Sequence, residues 1–351
     1  MIKKIFLTLL ISILVNQNVF AVTLSEALLQ AYISNPELNA ERENIQVSKE
    51  DLNISRSEFL PVVTLSGSQS EENTKKLTDR TGTNSSYTDV STKTQSIKIE
   101  QKLFQGFAGI ASIEKSKIGL SLADAKLLKA EQKILYEAIE AYLGLIFANE
   151  KVEIIQRNVN LLERQVETDQ ARLERGQITL ADLAQSESSL AGTQAKFIQS
   201  KNEKVTGKLI YEKIIGPIVD VNDLNKRSDL NFELPINLNK AIEISKKNNP
   251  VLIIAKLNYE QSEKDVIIAT ANLSPSATLS LSSTKTDDLS SSYDESDKET
   301  AKAIISWPIF KGGKNTASIN RSKNLKNRKK LLLDNALKTN DTSVASAWSN
   351  L

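Results

Sequence analysis

The sequence predicts an α+β membrane protein with an internal duplication: long antiparallel α-helical coiled-coil hairpins joined to transmembrane β-strands that contribute to a barrel shared between chains. Three observations carry this. Residues 24–68 recur without gaps at 238–282, apolar or small residues fall every seven positions from Ile113 to Leu162, and short segments alternate apolar and polar side chains.

The chain opens as a secretion signal over residues 1–21, with Lys3 and Lys4, an apolar run from Ile5 to Val15, and a Val19-Phe20-Ala21 cleavage stretch. A membrane anchor is the alternative, but the run falls short of the roughly 20 residues a spanning helix needs. Of 45 basic and 43 acidic residues, the signal removes two lysines and leaves the mature chain neutral, so the sequence pI of 8.4 belongs to the precursor. Such a balance supplies no field for nucleic acid. With no His and no Cys, the usual nucleophile pairs and the usual zinc or iron–sulfur ligand sets are excluded, and no disulfide holds the fold. We therefore expect no enzyme, no metal and no cofactor.

The first repeat covers 22–235, with helices over 24–60, a strand hairpin over 62–104 and a long helical hairpin over 107–215; the second covers 236–351, with helices over 238–274, a strand hairpin over 276–310 and the start of a long helix over 314–351. At an offset of 214, identical pairs include Asn35-Pro36 with Asn249-Pro250 and Pro61 with Pro275. Each proline suits the first turn of a following helix. Beyond the strands the offset becomes 206, matching Phe104-x-Gly106 to Phe310-x-Gly312 and Ala111-Ser112-Ile113 to Ala317-Ser318-Ile319. Gly106, Gly312 and Gly313 are expected to turn the chain from strand to helix.

Alternation marks Ile97-x-Ile99-x-Gln101-x-Leu103 and Ala301-x-Ala303-x-Ile305-x-Trp307-x-Ile309, with shorter partners at Val63-x-Leu65 and Leu279-x-Leu281. Residues 69–96 and 283–300, rich in Ser, Thr, Asn, Asp, Glu and Lys, are expected as solvated loops. Outward Ile97, Ile99, Ile305 and Trp307 fit a membrane-facing wall. A small soluble sheet is the competing reading of the strands alone; the signal and the polar segments favour the barrel. Four strands per chain are fewer than the eight of the smallest usual barrel, so several chains would have to share it.

The heptads predict a helix from Phe107 to Leu173, on the order of 100 Å at ~1.5 Å per residue. Gly176 interrupts them, and the pattern resumes at Leu180, Leu183, Leu190 and Phe197. The two stretches are expected to form an antiparallel hairpin with its tip at 175–179.

This order of features, with Leu24-Ser25-Glu26-Ala27-Leu28, Asn35-Pro36-Glu37-Leu38, Phe59-Leu60-Pro61, Gln101-x-Leu103-Phe104-x-Gly106 and Arg172-Leu173-Glu174-Arg175-Gly176-x-Ile178-Thr179-x-x-Asp182, resembles the outer membrane efflux (TolC) family over essentially the whole mature chain. The resemblance implies a homotrimer in the outer membrane of a Gram-negative bacterium, with a shared strand barrel set in outer membrane lipid and a helical tunnel through the periplasm. It further implies two partners, a periplasmic adaptor (membrane fusion protein) and an inner-membrane transporter, and hence a passive exit duct for efflux or type I secretion. Matched by motif, Arg172, Gly176 and Asp182 would lie at the adaptor-docking end of the tunnel. Gly176 and Asp182 are equally readable as helix-capping residues.

Mirroring residue 235 at the second offset would require a chain reaching about residue 441, so roughly 90 residues that would carry the second hairpin have no counterpart here; the resemblance implies that the tunnel's gate lies on that hairpin, so no residue here is assigned to it. The expectation is a truncated product or fragment, for which inactivity as a duct is one reading beside the duct itself. A soluble periplasmic coiled-coil adaptor or structural protein is the reading from another class. Such a protein would split one hairpin around a compact β-domain, whereas here strands recur once per repeat.

Overall fold

A computed structural model describes residues 22–78, 80–82, 85–218, 220–226, 234–290 and 293–351; the secretion signal at 1–21 lies outside the described residues. The elements run α1 (Leu24–Ser34), α2 (Pro36–Ser57), β1 (Val62–Thr78), β2 (Ser85–Phe104), α3 (Ala108–Glu174), α4 (Leu180–Ile214), a 3₁₀ turn (Val221–Asp223), α5 (Leu238–Asn248), α6 (Pro250–Ala271), β3 (Ser276–Ser290), β4 (Tyr293–Ser306) and α7 (Lys314–Ser349). They form two compact units, one of residues 1–42 with 127–234 and one of 43–126 with 235–351.

In the first unit, α1 begins with a capping box: Thr23 Oγ1 accepts the Glu26 N–H at 3.2 Å, and the Glu26 carboxylate accepts the Thr23 N–H at 2.8 Å. Its Leu24, Ala27 and Ala31 are buried with Ile134, Ala138, Tyr142 and Leu145 of α3 and Tyr211 of α4. Small residues on α1 let the helices approach closely enough to enclose the two tyrosine rings, whose centroids stand 6.5 Å apart. The Tyr142 hydroxyl sits 2.7 Å from the Val22 carbonyl and 2.8 Å from the Asn225 carbonyl, sharing its one proton between them. This ties both ends of the unit's chain to the middle of α3.

The helix break at Asn35 has a local cause. Pro36 excludes the helical region for the residue before it, and Asn35 is extended at ψ 122°. Its Oδ1 accepts the N–H groups of Glu37 and Leu38 at 2.9 and 3.3 Å, and its amide donates to the Ile214 carbonyl at 3.3 Å. In the second unit Asn249 does the same work: its Oδ1 accepts the Val251 N–H at 2.9 Å, and its amide donates to Asn340 Oδ1 of α7 at 2.7 Å. The second unit is further tied by Lys115–Asp265 and Lys264–Glu114, both at 2.7 Å, between α3 and α6.

That unit also holds the sheet, four antiparallel strands in the order β1-β2-β3-β4. Here the structure corrects two expectations. Residues 69–96 and 283–300, expected as loops, are mostly strand: β1 has 17 residues, β2 has 20 and β3 has 15. Along these stretches both faces of the sheet are polar, so the hydropathy alternation vanishes while the backbone ladder continues. The Ser and Thr content reflects a wet strand as well as a loop. Conversely, β4 stops at Ser306, before Trp307 and Pro308, because Pro cannot donate to the ladder.

Strand passes to helix through two consecutive left-handed residues in each half: Gly106 (φ 59°) and Phe107 (φ 68°), then Gly312 (φ 56°) and Gly313 (φ 78°). A Cβ on Gly106 would lie 2.4 Å from Ser274 Cβ and 2.9 Å from the Ala271 carbonyl oxygen, whereas Gly312 has open space. Substituting Gly312 by Ala should cost about 1–2 kcal/mol, the left-handed penalty alone. Gly106→Ala adds a steric clash and should lower the thermal unfolding midpoint further; equal losses would contradict this corner geometry.

Burial, then the neighbouring Tyr142, push the Tyr211 hydroxyl up to about 12. The folded value exceeds the ordinary value of about 10, so the stability tied to neutral Tyr211 is complete below pH ~10 and drains away as pH rises toward ~12. Tyr211→Phe should flatten part of that alkaline loss in detergent-solubilised protein, read from unfolding midpoints between pH 9 and 12.

Candidate functional site

Two regions carry the residues singled out in the sequence, the tip of the α3–α4 hairpin and the sheet. At the tip, the Gly176 N–H donates to Leu173 O at 2.8 Å and the Gln177 N–H to Arg172 O at 2.9 Å, with Gly176 at φ 69°. This is a Schellman closure, which only a left-handed residue completes without strain. Three residues later α4 begins with another capping box. The Asp182 carboxylate accepts the Thr179 N–H at 2.8 Å and the Thr179 hydroxyl at 2.7 Å, and these bonds, the backbone one first, hold it below the usual carboxylate range. Asp182 is therefore occupied in the turn.

Arg172 is half exposed and lies 3.6 Å from Asp169. Asp169 is only 5% exposed; its Oδ2 accepts the Ser186 hydroxyl at 2.6 Å and the Gln165 amide at 2.9 Å, and Ser186 chiefly lowers its pKa. Asp169 thus links the two helices just behind the tip. Sequence reasoning singled out neither Asp169 nor Ser186, since their pairing appears only once the hairpin register is known. The register is antiparallel: Lys151 meets Glu203 at 2.5 Å further back, and Gly207 faces Leu145. A groove of about 590 Å³ between α3 and α4 includes Gly144, Leu145, Gly207 and Ile210. Phe147, Ile154 and Leu161 on α3 and Ile198, Val205 and Leu209 on α4 stay exposed.

In the sheet, residue pairing assigns faces. Val63 and Leu65 pair with Ile99 and Ile97, Ile99 with Leu281, Leu281 with Ala301, and Ala277 with Ile305, so these side chains share one face. Ile97, Ile99 and Ile305 are therefore brought together. Trp307 lies one residue past β4, exposed, with its indole N–H donating to the Leu273 carbonyl at 3.0 Å. The one polar intruder in the lower part of this face, Gln101, turns its amide onto the Phe59 carbonyl at 2.8 Å. On β2 the apolar stretch from Ile97 to Phe104 corresponds to about 26 Å at ~3.3 Å per residue. The opposite face carries Thr64, Ser66, Thr94, Ser96, Ser282 and Thr284, with the Ser66 and Ser96 hydroxyls 2.7 Å apart. Ser96, Ser282 and Thr284 are half-buried while Ile97, Ser283 and Lys285 are exposed. β1 and β4 end the sheet with unpaired edges among the described residues.

Among the described residues, no group of acidic side chains is arranged to hold a metal ion, and no helix is long and apolar enough to cross a membrane.

Asp169 and Asp182 both have lowered pKa values, so the stability they add is present above the ordinary carboxylate pKa of about 3.9 and lost as pH falls through their own lower values. Asp182→Ala should fray the start of α4, speeding trypsin cleavage after Arg172 or Arg175 at neutral pH, and should weaken the fall of the thermal unfolding midpoint on acidification below about pH 4. Unchanged cleavage kinetics would contradict the capping role.

The family model of outer membrane efflux proteins matches residues 27–208. The chain is 25% identical over 342 residues to the outer membrane efflux protein BepC of Brucella suis, covering 97% of this chain and 72% of that one. It is 21% identical over 313 residues to the alkaline protease secretion protein AprF of Pseudomonas aeruginosa, covering 87% and 65%. The crystal structure of the Campylobacter jejuni CmeC outer membrane channel superposes with a TM-score of 0.77 at 15% identity, over 90% of this chain and 68% of that one. More than half of the chain matches the family model, and the fold is that of outer membrane channels: the chain belongs to the outer membrane efflux protein family.

Proposed function

We propose that the chain is the outer-membrane exit duct of a tripartite efflux or type I secretion assembly, passing substrates without chemistry of its own. One observation carries the reading: a four-stranded sheet, apolar on one side and hydroxylic on the other along its lower rows, whose two outer strands have no further strand beside them among the described residues. In a bilayer every backbone N–H and C=O must be satisfied, so an open edge has to close on another chain. Pairing β4 of one copy with β1 of the next builds a barrel with Ile97, Ile99 and Ile305 toward lipid, Trp307 at the rim where an indole suits the interface, and a wet interior. Three copies, as the family resemblance implies, would close it. The exposed apolar residues of α3 and α4 supply further surface for packing between copies.

BepC and AprF are named for efflux and for protease secretion, and both roles need a duct that works with an inner-membrane transporter and a periplasmic adaptor. Here the adaptor would meet the hairpin tip, where Arg172, Arg175 and Leu180 are exposed and Gly176 sets the turn. Asp182 contributes by holding that turn rather than by direct contact.

Cell fractionation tests the duct. The protein should be recovered in the outer membrane as a trimer that dissociates on heating; recovery as a soluble periplasmic species would favour the adaptor reading. For the tip, Arg172→Glu and Gly176→Trp should each reduce site-specific crosslinking to the adaptor several-fold while leaving the trimer intact, and unchanged crosslinking would sink the docking role.

A further inference from the structure

The hydroxyl-bearing face of the sheet carries an excess of positive charge over a short band of rows. Its charged residues along the strands are Lys98, Lys102, Lys298 and Lys302 against Glu72, Glu100 and, four residues from Lys298 toward the β3–β4 turn, Asp294. All four lysines fall within four successive cross-strand rows, from Lys102 opposite Thr278 to Lys298 opposite Thr284. Glu100 is paired with Lys98 at 2.8 Å, and Glu72 lies about 20 Å further along the strands, six residues above Ser66 at ~3.3 Å each. Among the described residues no carboxylate forms an ion pair with Lys102, Lys298 or Lys302. The acids next to them in sequence, Asp297 and Glu299, point to the other face because successive strand residues alternate.

We propose that this lysine girdle makes the barrel interior selective for anionic solutes. The inference rests on the duct reading, since it takes the hydroxyl-bearing face as the lumen. The physical reason is the level at which the lysines sit. Rows bearing Lys98, Lys102 and Lys302 interleave with rows bearing Ile99, Leu281, Ala303 and Ile305 on the opposite face. The wall behind the lysines is therefore lipid, which does not screen them, and their field is focused into the lumen. Around them the lining is Ser and Thr, which solvate either sign of charge and leave the choice to the lysines. Symmetry repeats the girdle in each copy of the barrel.

The chain contains no cysteine, so a single introduced thiol reports on its surroundings. Ser282→Cys, in the row of Lys98, and Leu281→Cys, on the opposite face, are each exposed in outer-membrane vesicles to an anionic sulfonatoethyl and a cationic trimethylammonioethyl methanethiosulfonate. Each rate is normalised to that reagent's rate with a small free thiol. The thiol at 282 should react about tenfold faster with the anionic reagent at low salt, with the preference shrinking as added salt shortens the Debye length. Adding Lys102→Gln, Lys298→Gln and Lys302→Gln should abolish it, while the thiol at 281 stays unreactive to both. A thiol at 282 that reacts without preference for the anion, or whose preference survives the lysine changes, overturns the anion selectivity and leaves the duct standing. Equal reactivity at 281 and 282 overturns the two-faced wall itself, and the girdle with it. The comparison of the two reagents at Ser282→Cys alone needs no lysine variant to fold.

Discussion

The constraint on which the second unit depends is an unpaid backbone. Four strands of 14 to 20 residues leave two edges of N–H and C=O groups, and one face presents Val63, Leu65, Ile97, Ile99 and Ile305 exposed among the described residues. In water such a sheet would be an aggregation template, and in lipid its edges would be intolerable. Closure between copies removes both problems together. On the proposed duct reading it also accounts for exposed isoleucines in a chain whose mean hydropathy is only −0.28, since the bilayer would be their solvent.

The duplication shows which local devices the fold requires and which it merely uses. Asn35 and Asn249 each cap a helix with the side-chain oxygen and spend the amide on a neighbouring element, so the Asn-Pro step fixes a break and a direction at once. The two strand-to-helix corners share the same pair of left-handed residues but differ in chemistry. In the second half both are glycine; in the first, Phe107 takes the conformation at φ 68° and packs edge-on against Phe104 at 5.6 Å. An aromatic held in that region costs roughly 1–2 kcal/mol, so ring packing and the surrounding corner must over-determine it. Gly106 is then irreplaceable for a second reason, the close approach of Ser274, that its repeat partner lacks.

Much of this was legible in the residues. The heptads marked a helix from about Phe107 to Leu173 and the structure has it over Ala108–Glu174; Gly176 marked the hairpin tip because a helix end needs a left-handed residue there. Strand extent was not legible, because hydropathy alternation reports a difference between two faces and falls silent where both are wet, as from Gln69 to Ser96. The pairing of Asp169 with Ser186 was hidden for another reason: it is a contact across the hairpin, set by register rather than by any motif. Asp182 was noticed with two readings, a helix cap and a docking contact, and the hydrogen bonds bear out the cap. The Thr179-x-x-Asp182 spacing already contained the capping box that consumes its carboxylate.

Composition was the least informative signal about electrostatics, and the reason is structural. Along the hairpin, opposite charges meet across helices, as in Lys151 with Glu203 and, against the loop that follows α4, Glu150 with Lys226, so local neutrality mirrors the neutral total. In the strands the same balanced mixture is sorted by a two-residue period. Asp297 and Glu299 go to one face and Lys298 to the other, although the three are consecutive. A helix averages neighbouring charges around its circumference within one turn, whereas a strand sends them to opposite sides of a wall. A chain whose formal net charge is only +2 can therefore hold a strongly polarised sheet, and where such a wall is backed by lipid the separation is not screened away.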